Sequence, residues 1–98
     1  MSDEKLPVQV VNNPGAERFE TRVDGHLAVL QYGRQSGRIV FLHTEVPDEL
    51  EGRGIGSQLA KAGLQYARVE GLRVVSECPF VSSYIQRHPE YQPLLSTE

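Results

Sequence analysis

Cysteine occurs once in this chain, at position 78, and tryptophan not at all. A single thiol cannot close an internal disulfide, so the fold must be held by burial and backbone hydrogen bonds, and a reducing compartment suits it. One cysteine and three scattered histidines also lack the ligand spacing of a zinc site, which leaves metal chemistry without support. No apolar run approaches the roughly eighteen residues that span a bilayer. The stretch MSDEKLPVQV is acidic where a secretory signal would carry a basic segment and an apolar centre. Lys and Arg number 10 against 13 Asp and Glu, a net charge of −3. A general nucleic-acid binder needs a basic face to release counterions, so that class is disfavoured. Membrane partners are excluded from the expectation on the same reading.

What is present is the composition of an ordinary globular chain, 39% hydrophobic and 23% charged. Its 98 residues can enclose one core and not two, so 1–98 is expected to be one cytoplasmic domain, with short tails near 1–6 and 93–98. Pro7 to Val11 reads as a first strand, closed by the turn cluster Asn12-Asn13-Pro14-Gly15. Arg18 to Val23 alternates, Asp24-Gly25 is a hairpin signal, and His26 to Tyr32 has the apolar content of a central strand. A turn at Arg34 to Gly37 precedes Arg38 to Val46, the longest β-like run, which Pro47 ends. From Gly54 the period becomes helical, with Ile55, Leu59, Ala62, Tyr66 and Val69 as the apolar stripe and Gly71 as the stop. Leu72 to Ser76 makes a further strand, and Val81 to His88 a short helix halted before Pro89. The order is β-β-β-β-α-β-α, and the strand–helix–strand unit implies a right-handed parallel crossover.

The glycines of Glu51-Gly52-Arg53-Gly54-Ile55-Gly56 fall between a strand and a helix. At such a place the first helical N–H groups lack intrahelical partners and the helix dipole favours an anion. Gly52, Gly54 and Gly56 would let a phosphate approach the backbone, Ser57 could add a hydroxyl and Arg53 a charge. The same residues would equally serve a tight turn with no ligand, and on spacing alone both readings stand. A P-loop is excluded, because Ser57-Gln58 follows the last glycine where Lys and Ser or Thr are needed; the dinucleotide fingerprint fails on its glycine spacing.

The pattern is similar to the Gln/Arg-x-x-Gly-x-Gly/Ala motif of the GNAT superfamily of N-acetyltransferases, and Cys78 to Tyr91, CPFVSSYIQRHPEY, resembles the minimal YjdJ-type branch of it. The resemblance runs from about Phe19 to Tyr91 and implies an α+β GNAT-like fold, with a mostly antiparallel sheet splayed between its fourth and fifth strands. It implies acetyl-CoA or coenzyme A as the acyl carrier, held by Glu45, Val46, Gly52, Arg53, Gly54, Ile55, Gly56 and Ser57, with backbone N–H near Val46 polarising the thioester. The acceptor would be a small amine or a protein lysine, which the sequence does not name, and the protein a monomer or weak dimer. Glu51 stands where the family has Gln or Arg, and Asp48 and Glu49 add charge beside it, so modest cofactor affinity is expected.

Three residues are candidates for the chemistry. His43, on the fourth strand and on the same side as Glu45, has a side chain suited to general base, or it is a structural histidine. Cys78, before Pro79 and near a helix start, is either an activated thiol or a small buried hydrophobe. Tyr84 falls where GNAT enzymes place a phenol that protonates the leaving sulfur, or it packs against the sheet. The rival to an enzyme is a non-catalytic CoA-binding or protein-interaction module on the same fold.

Overall fold

A computed structural model describes residues 8–96. Its elements are β1 (Val11–Asn13), β2 (Arg18–Val23), β3 (His26–Gln35), β4 (Arg38–Glu45), α1 (Ile55–Glu70), β5 (Arg73–Ser76) and α2 (Pro79–Arg87), with short 3-10 turns at Pro14–Ala16, Asp48–Leu50 and Pro89–Leu94. The five strands lie in the order β1-β2-β3-β4-β5. The first three pairings are antiparallel, and only β4–β5 is parallel. This is the mixed α+β arrangement expected of a minimal GNAT fold.

Several boundaries differ from the sequence expectation, each for a local reason. The first strand forms two residues beyond the apolar run: Val8 and Val10 pack against the core from outside any strand, and Pro7 lies outside the described residues. β3 continues past Tyr32 to Gln35, pairing out to Arg38, because Ser36-Gly37 alone make the turn and Gly37 supplies the positive φ of 70° it needs. α2 begins at Pro79 and not Val81, since a proline whose φ is already helical is favoured at the first position. On α1 the buried face is Ile55, Leu59, Ala60, Gly63, Leu64 and Ala67, while Val69 is 78% exposed. Small residues at 60, 63 and 67 rotate the contact stripe away from the larger apolar side chains, because they let the helix lie close to the sheet.

The close approach is specific. A Cβ on Gly63 would fall 2.8 Å from the ring of Phe41 and 3.3 Å from Leu30. Behind it, Leu30, Ile39, Phe41, Leu59, Leu64, Val74 and Val81 are fully buried in one cluster that joins β3, β4, β5, α1 and α2. α1 ends at Gly71 (φ 70°), with Leu72 N–H donating to Ala67 C=O and Gly71 N–H to Arg68 C=O, the paired closure of a Schellman motif. After Tyr91, itself buried, the chain returns along β5: Leu95 bridges Val74, Ser96 N–H donates to Val74 C=O, and Arg73 donates to the carbonyls of Pro93 and Leu95. The stretch expected as a tail is, through Ser96, a strap on the sheet edge; Thr97 and Glu98 lie outside the described residues.

Two features of β4 position the site. The β3–β4 register shifts so that Tyr32 faces Phe41 but Gln31 faces His43, leaving Leu42 as an extra, bulged residue. Beyond the bulge the side chains change faces: Thr44 pairs with buried Leu30 on the helix side, and His43 and Glu45 point to the uncovered side. The β4–β5 ladder also stops there, its last bond running from Glu77 N–H to Phe41 C=O. β4 continues to Glu45 paired with β3 alone, while β5 ends and leads into α2, which opens the splay.

Candidate functional site

A cavity of about 410 Å³ occupies the angle between the free end of β4 and the starts of the two helices. It is lined by Thr44 and Val46 from the strand, Leu50 and Glu51 from the loop, Gly52, Gly54, Ile55, Gly56 and Ser57 at the head of α1, and Phe80 of α2. Gly52 and Gly54 take φ of 81° and 74°, conformations in which an L side chain is strained, and a Cβ on either would meet nothing within 4 Å. The glycines here therefore serve the path of the chain and leave its backbone open to the cavity. Gly56 has a different role: a Cβ there would fall 2.9 Å from the ring of Phe80.

No side chain caps α1, and the first intrahelical bond is Gln58 N–H to Gly54 C=O. The N–H groups of Ile55, Gly56 and Ser57 thus stand at the helix start without a helical partner, at the positive end of a 16-residue dipole. An uncapped, glycine-lined helix head facing a cavity fits the pyrophosphate of an acyl-CoA, and the apolar Val46, Leu50, Ile55 and Phe80 fit its pantetheine arm.

Of the residues expected to hold the cofactor, Val46, Gly52, Gly54, Ile55, Gly56 and Ser57 line this cavity and Glu45 and Arg53 do not. Glu45 projects from the far face of the sheet, and Arg53 donates from Nη1 to Asp24 Oδ2 at 3.0 Å. Thr44, Leu50 and Phe80 were not expected. Thr44 reaches the cavity only because of the bulge at Leu42, for which the sequence carries no turn residue. Phe80 directly follows a proline at a helix start, a position that could have suggested it.

The three catalytic candidates are not gathered at one point. Cys78 is buried, 3% exposed, at the N-cap of α2, and its Sγ lies 3.2 Å from Thr44 Oγ1, so it meets the cavity through that threonine. Its carbonyl accepts from Ser82 N–H and from Ser76 Oγ, which fixes the turn from strand to helix. His43 is exposed on the opposite face of the sheet. Tyr84 is buried one turn along α2 from Phe80, stacked on His88 with centroids 3.9 Å apart and near Tyr91 at 6.2 Å. Burial, reinforced by Tyr91 and Glu90, raises the Tyr84 pKa above its ordinary value, so the phenol keeps its proton at neutral pH. His88 Nδ1 and Tyr84 C=O are 2.9 Å apart, and His88 stands at the C-cap of α2. Among the described residues no group of three or more His, Cys, Asp or Glu could hold a metal ion, and no helix is long and apolar enough to cross a membrane.

A profile of the GCN5-related N-acetyl-transferase family matches residues 18–94. The chain belongs to the GCN5-related N-acetyltransferase family. Protein NATD1 of Gallus gallus is 38% identical over 90 residues, covering 89% of this chain and 82% of that one, and the Homo sapiens NATD1 is 37% identical with 89% and 80% covered. The NMR solution structure of a GCN5-like N-acetyltransferase candidate from Staphylococcus aureus superposes with a TM-score of 0.71 at 27% identity, over 92% of this chain and 89% of that one. The match spans β2 through α2 and on to residue 94, so the GNAT assignment rests on the elements that build the cavity as well as on the glycine motif.

Proposed function

We propose that this GNAT protein is an acetyl-CoA-dependent N-acetyltransferase acting on a small amine or an exposed protein lysine. The observation that carries the reading is the uncapped head of α1, whose glycines leave three N–H groups open to a cavity that leads to the splay of β4 and β5. Bound acetyl-CoA would supply a thioester carbon open to attack by an amine. The N–H groups of Ile55, Gly56 and Ser57 would hold its pyrophosphate, and Val46, Leu50 and Phe80 would exclude water from the arm. A C–N bond forms and a C–S bond breaks, so one proton must leave the amine and one must reach the sulfur. His43 is the base we assign from the open face of the sheet, through water, and Tyr84, held protonated by burial, is the acid. Cys78 offers a second route, in which its Sγ takes the acetyl group from the thioester while its proton passes to the departing coenzyme A sulfur, and the amine takes the acetyl group in turn; the Thr44 hydroxyl, 3.2 Å away, would orient that sulfur.

One specific set of observations favours the non-catalytic alternative, a CoA-binding module. Glu51 lines the cavity, Arg53 is turned out of it, and His43 lies across the sheet from it. Calorimetric titration with acetyl-CoA, beside an acetylation assay over a panel of amines and lysine peptides, separates the readings. Micromolar binding, on the order of −8 kcal/mol, with turnover supports the enzyme. Binding without turnover on any amine favours the module, and no binding at millimolar ligand removes both.

A further inference from the structure

We propose that Asp24, on the β2–β3 hairpin, competes with the cofactor's pyrophosphate for Arg53 and so sets the affinity of the site; the inference rests on the acyl-CoA reading above. From Val46 to Ala60 the chain carries one basic residue, Arg53, against the acidic Asp48, Glu49 and Glu51. Glu51 lines the cavity itself. A pyrophosphate entering there meets a carboxylate and needs a local cation, and a guanidinium binds phosphate oxygens with two parallel N–H bonds. Arg53 has cavity-lining residues on both sides, Gly52 and Gly54, yet its own side chain lies against Asp24.

The hairpin is built to make that contact. Asp24 and Gly25 take φ of 52° and 80°, the doubly positive pattern of a two-residue turn that matches strand twist. A second approach, His26 Nδ1 to Glu49 Oε1 at 3.9 Å and an ion pair only with a protonated imidazole, brings the same hairpin to the same loop. In the Arg53–Asp24 pair the side chains are 47% and 69% exposed. Exposed pairs are weak and exchange readily, so a doubly charged phosphate can displace one carboxylate by a rotation of the arginine side chain with no change of backbone. The turn therefore holds the cation in reserve, and coenzyme A pays for its release in affinity.

The test is calorimetric titration with coenzyme A of the parent, Asp24→Asn, Arg53→Gln and the double variant at low salt. Asparagine also tolerates positive φ, so the hairpin is retained, and Asp24→Gly serves as a second variant should the first melt early. Asp24→Asn is expected to bind about threefold tighter, the range of an exposed pair. Arg53→Gln should bind more weakly, and in that background Asp24→Asn should have no effect. An unchanged Asp24→Asn overturns the proposal. So does a gain that persists in full without Arg53, since long-range charge alone would then account for it. A parent that gives no heat with coenzyme A overturns the acyl-CoA reading itself, a failure distinct from either.

Discussion

Gly56 and Thr44 show how little chemistry a residue needs in order to shape the site. A methyl group at 56 would enter the ring of Phe80, but that ring is 38% exposed and can swing outward. Gly56→Ala is therefore expected to fold normally while displacing a wall of the cavity. Acetyl-CoA affinity should fall by about tenfold, roughly 1.4 kcal/mol, in a calorimetric titration, with thermal stability unchanged. Equal binding by the variant would mean that Phe80 is not a wall. Thr44→Val keeps the shape and removes the hydroxyl beside Cys78 Sγ. We expect a loss of about 0.5–1.5 kcal/mol in urea denaturation. If the thiol accepts acetyl, a slower gain of one acetyl mass at Cys78 should follow incubation with acetyl-CoA. Cys78→Ala should abolish that mass gain altogether, and an acetyl group found elsewhere would end the ping-pong route.

At the scale of the element, α1 against the sheet gives a sharper contrast. Ala is the better helix former by about 1 kcal/mol, so on propensity alone Gly63→Ala should stabilise the helix. Its methyl group would instead fall 2.8 Å from Phe41, a fully buried ring with no space to retreat into. Overpacking of this kind costs about 1–3 kcal/mol, so the net change should be destabilising, and Phe41→Leu in the same chain should recover part of it. Urea midpoints of the single and double variants decide the matter. The glycine turn, Gly71 and the parallel crossover were legible in the sequence, because each is dictated by local chemistry. The contact stripe was not, since Val69 fits the period as well as Ala67 does and only the sheet chooses between them. Nor was the face of His43, because a single bulged residue at Leu42 inverts every side chain after it, and no propensity marks that insertion. The candidate site was thus readable wherever backbone conformation defines it and unreadable where strand register does.

For the whole molecule, two buried tyrosines make stability depend on pH in one direction. Burial raises Tyr84, with Tyr91 adding to it, and burial raises Tyr32, with Tyr66 adding to it. In the unfolded chain both phenols titrate near pH 10. Below that value both states keep the proton and the folded state keeps its full advantage. Above it the unfolded chain gives up protons that the folded chain retains, so stability falls as pH rises through the folded pKa values. Glu20 acts at the other end of the scale: the hydrogen bond from Asn13, then Arg18, lowers its pKa, and its contribution is lost as pH falls through the folded value. That carboxylate is at the surface, so its effect should be small. Melting temperature should therefore be nearly flat through neutrality and drop on the alkaline side. Tyr84→Phe should flatten the alkaline drop, since the substitution removes the proton without removing any hydrogen bond described for its hydroxyl. Tyr32→Phe should flatten it too but lower the plateau, because the Tyr32 hydroxyl donates to Asn12 Oδ1 at 2.7 Å and anchors β1. Melts of the three proteins across the alkaline range test this, and an alkaline drop that persists in full in both variants would place its cause outside the buried phenols.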